Sequence, residues 1–122
     1  MARSRSRLTP AERDEAFARD IFASTNRLGR WLSSVDREQF DGDDKLQSAT
    51  LQQLAVIGEA ATQLSDAFKR RHSGIPWQSI IGMRNLAVHT YWRVDYDMVW
   101  KAATQGAPKL GSYLQTLFVE EA

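Results

Sequence analysis

Residues 9–35 read TPAERDEAFARDIFASTNRLGRWLSSV. Thr9 can cap a helix, Pro10 suits the first helical position, and Glu12 completes a capping box. Apolar residues then fall at Phe17, Ile21, Leu28, Trp31, Leu32 and Val35. Steps of three, four and seven place them on one face, so the reading is a long amphipathic helix over residues 10–34. A helix with one apolar face needs other apolar faces to bury it.

The rest of the chain supplies them. Residues from Ser34 to Phe40 can form a short helical turn, and Asp41-Gly42-Asp43-Asp44 breaks the pattern. A second long helix is expected with Leu46, Leu54, Ile57, Ala61, Leu64 and Phe68 on one stripe. It runs to the cationic Lys69-Arg70-Arg71-His72, which suits a helix C-terminus, and Ser73-Gly74 stops it. Ile75-Pro76-Trp77 opens a third helix carrying Ile80, Ile81, Met83, Leu86, Ala87 and Val88. Its surface is apolar over most of the circumference, which makes it central. Asp95 can cap a fourth helix with Met98, Val99 and Trp100 facing in. Gly106 and Pro108 should kink or break it before Leu110, Tyr113, Leu114, Leu117 and Phe118 resume the stripe. No strand candidate, repeat or long linker stands out. The expectation is all-α: an antiparallel bundle of four to five helices over residues 9–119, preceded by a disordered basic tail at residues 1–8.

Composition narrows the function. The chain has 122 residues, enough for one core. Its net charge of +1 is unevenly spread. Arg3, Arg5 and Arg7 face no acid, whereas from Leu8 onward 13 basic residues meet 15 acidic ones. Binding nucleic acid through bulk charge is therefore excluded, and any anion site must be a local cluster. With no cysteine, disulfides, thiol nucleophiles and zinc–thiolate sites are excluded. With only His72 and His89, so is a multi-histidine metal site within one chain. No apolar run approaches the ~18 residues of a membrane span, and no apolar stretch follows the basic start. The expectation is a soluble, cytoplasmic protein that needs no cofactor and no membrane.

The stretch from Ile80 to Trp100, IIGMRNLAVHTYWRVDYDMVW, carries the chemistry. Arg84, Asn85, His89 and Tyr91 interrupt apolar surroundings. An arginine there needs a carboxylate, a phosphate or solvent; Glu59 and Asp95 are candidate carboxylates. On a continuous helix, Asn85 and His89 share a face, while Arg84 and His89 are roughly 140° apart. Arg84 must then reach around, or the helix must end near His89, or two copies must pool side chains across a symmetric dimer. The residues suit RNA cleavage without a metal. A neutral imidazole can take the ribose 2′-hydroxyl proton. A guanidinium can hold the scissile phosphate and stabilise the charge that develops. Asn85 can orient the imidazole or donate to the phosphate.

The stretch resembles the HepT-like family of the HEPN superfamily, the toxin half of many bacterial toxin–antitoxin pairs. The family pattern of an Arg, four residues, a His, one residue and a Tyr stands here as Arg84-Asn85-Leu86-Ala87-Val88-His89-Thr90-Tyr91. Ile57-Gly58-Glu59-Ala60 resembles the signature of the preceding helix, Ile75-Pro76-Trp77 the lead-in, and Val94-Asp95 with Val99-Trp100 the exit. The likeness covers most of residues 12–118. It implies a HEPN-like helical fold, a homodimer with a composite cleft, and ribonuclease activity by Arg84 and His89. It also implies a minimal nucleotidyltransferase antitoxin that transfers AMP to the residue matching Tyr91, as in a type VII-like toxin–antitoxin system. The chain departs from the family at Gln52, often basic, and at Ala55, often acidic.

On this reading the protein is a metal-independent endoribonuclease that acts on RNA through 2′-hydroxyl attack and leaves a 2′,3′-cyclic phosphate. The alternative is a non-catalytic HEPN dimer that binds a nucleotide or a nucleotidyltransferase partner; a third is a bundle without a ligand. Glu59 could cap the motif helix, hold Arg84 or line the cleft. His72 reads as a solvated helix-end residue. Trp31, Trp77 and Trp100 read as core or dimer interface, and Trp92 as a packing residue with a lesser claim to stacking a base.

Overall fold

The protein is described by a computed structural model over residues 7–86 and 93–120. It is an all-α, HEPN-like bundle. The first helix, α1 (Pro10–Leu32), begins with the expected capping box: Thr9 Oγ1 accepts from the Glu12 N–H at 3.1 Å, and Glu12 Oε1 accepts from the Thr9 N–H at 3.3 Å. A short α2 (Arg37–Asp41) follows, capped by Asp36. Then come α3 (Asp44–Gln63), α4 (Asp66–Arg71) and α5 (Trp77–Gly82). A 3₁₀ turn (Met83–Asn85) extends α5. Beyond residue 92, α6 (Tyr96–Lys101), a π-helical segment (Ala102–Gly106) and α7 (Ala107–Glu120) run on without a break.

Long-range contacts fix the directions. Asp14, early in α1, lies beside Ser65, just past the end of α3, so α1 and α3 are antiparallel. Phe22 meets Phe118 at 5.4 Å between ring centroids, and Thr25 lies against Gly111, so α1 and α7 are antiparallel too. The core between them holds Ile21, Leu28, Leu54, Ile57 and Leu114, all shielded from solvent. Each such side chain contributes about 1.5–3 kcal/mol by leaving water. Phe40 of α2 is equally buried and packs on Trp100 and Tyr96 of α6, with ring centroids 5.1 and 6.2 Å away. Trp77 is buried, while Trp31 and Trp100 are half-buried against the core.

Four expectations are corrected. The second helix does not run unbroken to residue 72. It stops at Gln63, and Leu64 turns extended at φ −66° and ψ 142°. The cause is Asp14, buried on α1, which accepts from the Ser65 N–H at 2.7 Å and from Ser65 Oγ at 2.6 Å. Ser65 Oγ in turn accepts from the Phe68 N–H at 3.1 Å and starts α4. Leu64 and Phe68 remain buried on either side of the break, which is why the apolar stripe hides it.

The third helix is likewise shorter than its pattern. It leaves α geometry at Gly82, so Arg84 sits on a 3₁₀ turn and the angular comparison with His89 on one α-helix does not hold. Met98 does not face in; it is 48% exposed, whereas Val99 beside it is fully buried. Gly106 and Pro108 do not break the last helix; its winding widens to π over Ala102–Gly106 and returns to α at Ala107. Pro108 cannot donate to the ladder and crowds the turn before it, and the wider π winding at Ala102–Gly106 makes room for its ring. Residues 1–6 of the basic tail lie outside the described residues. Among the described residues, no helix is long and apolar enough to cross a membrane.

Candidate active site

Arg84 is placed by a glycine. The 3₁₀ turn lies so close to α3 that a Cβ on Gly58 would stand 2.4 Å from the Arg84 backbone nitrogen. It would also stand 2.9 Å from Arg84 Cβ and 2.9 Å from the Ile81 carbonyl oxygen. Only a residue without a Cβ permits that approach. The Ile57-Gly58-Glu59-Ala60 run thereby acquires a physical reading. Ile57 and Ala60 are buried in the core, Gly58 admits the turn, and Glu59 reaches the guanidinium.

Arg84 Nη1 donates to Glu59 Oε2 at 3.3 Å. The two side chains are 43% and 61% exposed, which settles what the pair is worth. An ion pair this open to water contributes about 0–1 kcal/mol, so the guanidinium can exchange its carboxylate for another anion. Of the three roles open to Glu59, the structure shows two: it holds Arg84 and it lines the cleft. Asp95, the other candidate partner, is used elsewhere. Its Oδ1 caps α6, accepting from the N–H groups of Asp97 at 3.1 Å and Met98 at 3.2 Å.

The cleft is an open cavity of about 590 Å³ between α1, α3 and the 3₁₀ turn. Phe17 and Asp20 come from α1, Val56, Glu59 and Gln63 from α3, and Arg84 and Asn85 from the turn. Asn85 is exposed and shares the cleft with Arg84. Gln52 and Ala55, the two family departures, both line it. His89, Tyr91 and Trp92 lie outside the described residues. Among the described residues, no three His, Asp or Glu side chains come together as metal ligands would.

His72 is a correction. It is half-buried rather than solvated, with Nδ1 2.8 Å from the Tyr113 hydroxyl and its ring 4.5 Å from that of Phe68. Burial, and secondarily the Arg71 charge, lower its pKa below the ordinary histidine value. The Trp77 indole N–H donates to the His72 carbonyl at 3.1 Å, which ties the end of α4 to the start of α5.

Sequence reasoning missed Arg37. Its Nε donates to Asp41 Oδ1 at 2.8 Å, and its Nη1 lies 2.7 Å from Asp97 Oδ1. Those two carboxylates, Asp41 first, raise its pKa further. Arg37 and Phe40 together fasten α2 to the helix that follows the motif. The i, i+4 spacing of Arg37 and Asp41 was a visible signal; the reach to Asp97 was not.

A family model described as "Ribonuclease HepT-like" matches residues 21–117. The chain belongs to the HepT-like ribonuclease family. Curated relatives agree with that assignment. The chain is 30% identical over 96 residues to "Putative RNase MJ1380" of Methanocaldococcus jannaschii, covering 79% of this chain and 88% of that one. It is 31% identical over 101 residues to "Probable ribonuclease HepT" of Thermococcus cleftensis, covering 83% and 92%. A third relative, "Putative RNase TTE0752" of Caldanaerobacter subterraneus, is 31% identical over 90 residues, covering 74% and 80%. No solved structure gives a significant match.

Proposed function

We propose that this HepT-like protein is a metal-independent endoribonuclease, the toxin of a type VII-like toxin–antitoxin system. Arg84 carries the reading. It is a solvent-reachable guanidinium, lightly held by Glu59 on a turn that Gly58 presses against α3, five residues before His89. Arg84 grips the scissile phosphate and offsets the charge that develops on it. His89 takes the proton of the ribose 2′-hydroxyl. That oxygen attacks the phosphorus, the bond to the 5′-oxygen breaks, and that oxygen takes a proton from water, so the products are a 2′,3′-cyclic phosphate and a 5′-hydroxyl. Asn85, beside Arg84, donates to the phosphate or orients the imidazole. The chain acts in the cytoplasm as a homodimer. A minimal nucleotidyltransferase antitoxin silences it by transferring AMP to Tyr91, which sets a phosphodiester and an adenosine beside the cleft.

Incubating single-stranded RNA with the purified chain in EDTA tests the chemistry. Cleavage should continue and leave cyclic-phosphate ends. Cleavage that stops in EDTA and returns with a divalent ion would contradict the mechanism. Intact-mass analysis of the chain purified with its antitoxin should show adenylate on the peptide containing Tyr91. An inhibited but unmodified chain would mean that the partner works by occlusion.

The charge of the cleft gives the non-catalytic reading its one foothold. Asp20 and Glu59 share the cavity with Arg84, and acids repel a phosphate. If Glu59 holds Arg84 permanently, the dimer binds a nucleotide or a partner and cuts nothing.

A further inference from the structure

The 3₁₀ turn has a second side. Arg84 and Asn85 face the cleft already described, whereas Met83 and Leu86 face another cavity, of about 670 Å³. Its floor is apolar: Ile80, Met83, Leu86 and Leu110. Its rim is cationic and polar. Lys101, Gln105 and Lys109 follow one another at steps of four along α6, the π segment and α7, and all three are exposed. No carboxylate lines it among the described residues, although the body of the chain carries more acids than bases. Met98, nearly half exposed, stands at its edge. The π winding from Ala102 to Gly106 forms part of the wall, and such windings recur at functional sites.

Size, apolar floor and placed polar groups are those of a ligand site rather than of a surface dimple. The two lysines select for an anion, and the floor selects for a flat apolar body attached to it. Single-stranded RNA offers both in every nucleotide, because an unpaired base can be splayed into a cavity while its phosphates stay on the rim. A paired base could not enter. An apolar helix of a protein partner would make no use of two lysines unopposed by any acid. The neighbouring cleft, with Asp20 and Glu59, is the poorer track for a polyanion.

We propose that this lysine-rimmed cavity binds one nucleotide of the single-stranded RNA that Arg84 addresses, on the other side of the 3₁₀ turn. The base rests on Ile80, Met83, Leu86 and Leu110, and Lys101 and Lys109 hold the flanking phosphates. The cavity thereby makes binding depend on the identity of a base held across the turn from the scissile phosphate. This inference rests on the ribonuclease reading above.

Two variants separate the base from the phosphates. A Cβ at Gly82, on the cavity wall, would meet nothing within 4 Å, so the backbone there accepts a side chain and Gly82→Phe is the variant chosen to occupy the cavity. The double change Lys101→Gln with Lys109→Gln removes charge from exposed positions and keeps side-chain length. Both are placed on a His89→Ala chain. Binding of a short fluorescein-labelled oligoribonucleotide of mixed sequence is followed by anisotropy at several salt concentrations. Gly82→Phe should weaken binding about tenfold to a hundredfold and leave the salt slope unchanged. The lysine double change should make the slope of log K against log salt shallower by about 1.4, at about 0.7 per phosphate contact on a single strand. If both variants bind like their parent while the wild type still cleaves RNA, the cavity is no RNA subsite and the ribonuclease reading survives. If Gly82→Phe instead changes the sedimenting mass and leaves RNA binding alone, the cavity is a self-association surface and the proposal is overturned. If the wild type neither binds nor cleaves RNA, both readings fall together.

Discussion

Along α3, Leu54, Ile57 and Ala61 have no access to solvent, and Asp14 of α1 pins the residue after the helix with two short hydrogen bonds. Along residues 77–86 the backbone passes through a six-residue helix and a 3₁₀ turn, and its polar side chains, Arg84 and Asn85, stand in the open. The first region is held by tight fits that tolerate little change. The second is held by α3 and leaves its chemical groups lightly restrained. The contrast teaches that the frame and the site should fail differently: the frame by losing stability, the site by losing chemistry while the fold stays intact.

Gly58 is where the two regions touch, and changing it should damage stability and chemistry together. Gly58→Ala puts a Cβ 2.4 Å from a backbone nitrogen, and neither α3 nor the turn is a flexible side-chain end that can step aside. Overpacking of this kind costs about 1–3 kcal/mol. The turn must also move, and a misplacement of about 1 Å near reacting groups can cost about a hundredfold in rate. Urea unfolding and single-turnover RNA cleavage should both record the loss. A Gly58→Ala chain with wild-type stability would show that the close approach does not set the position of Arg84.

A smaller effect belongs to His72, which lies at the junction of α4, α5 and α7. Its folded pKa is lowered because burial disfavours the charged ring. The unfolded chain, with an ordinary value near 6.5, therefore binds the proton more readily. Stability from this group is fully present above about pH 6.5 and is lost as pH falls through the folded value. Thermal midpoints should decline on acidification, and His72→Phe should flatten part of that decline. An NMR titration in which His72 protonates at or above the ordinary histidine value would contradict the burial argument.

Periodicity and capping chemistry made much of this legible. The Thr9–Glu12 capping box, the Asp95 cap and the inward faces of α1, α3 and α7 all follow from local spacing. The break at Leu64 did not show, because Leu64 and Phe68 keep an i, i+4 step through it. Ser65-Asp66, a good cap followed by a first-turn acid, was the available signal. The change from α to 3₁₀ at Met83 was invisible to a period count, since an apolar run is compatible with either winding. At the candidate site, Glu59 was named as one partner of Arg84, and the pairing is observed. The reason for Gly58 was out of reach: a close approach between two elements is a tertiary fact, and the sequence records only the missing side chain.

The central claim is that Arg84 serves chemistry rather than the fold. Its most direct test is Arg84→Ala, measured for RNA cleavage under single-turnover conditions and for unfolding in urea on the same preparation. The account predicts a rate lower by about 10²–10³-fold, the scale of losing a preorganised charge at the transition state. It predicts a stability change within about 1 kcal/mol, because the Glu59 pair is exposed. A chain that cleaves RNA at the wild-type rate, or one that unfolds before it can be assayed, would contradict it.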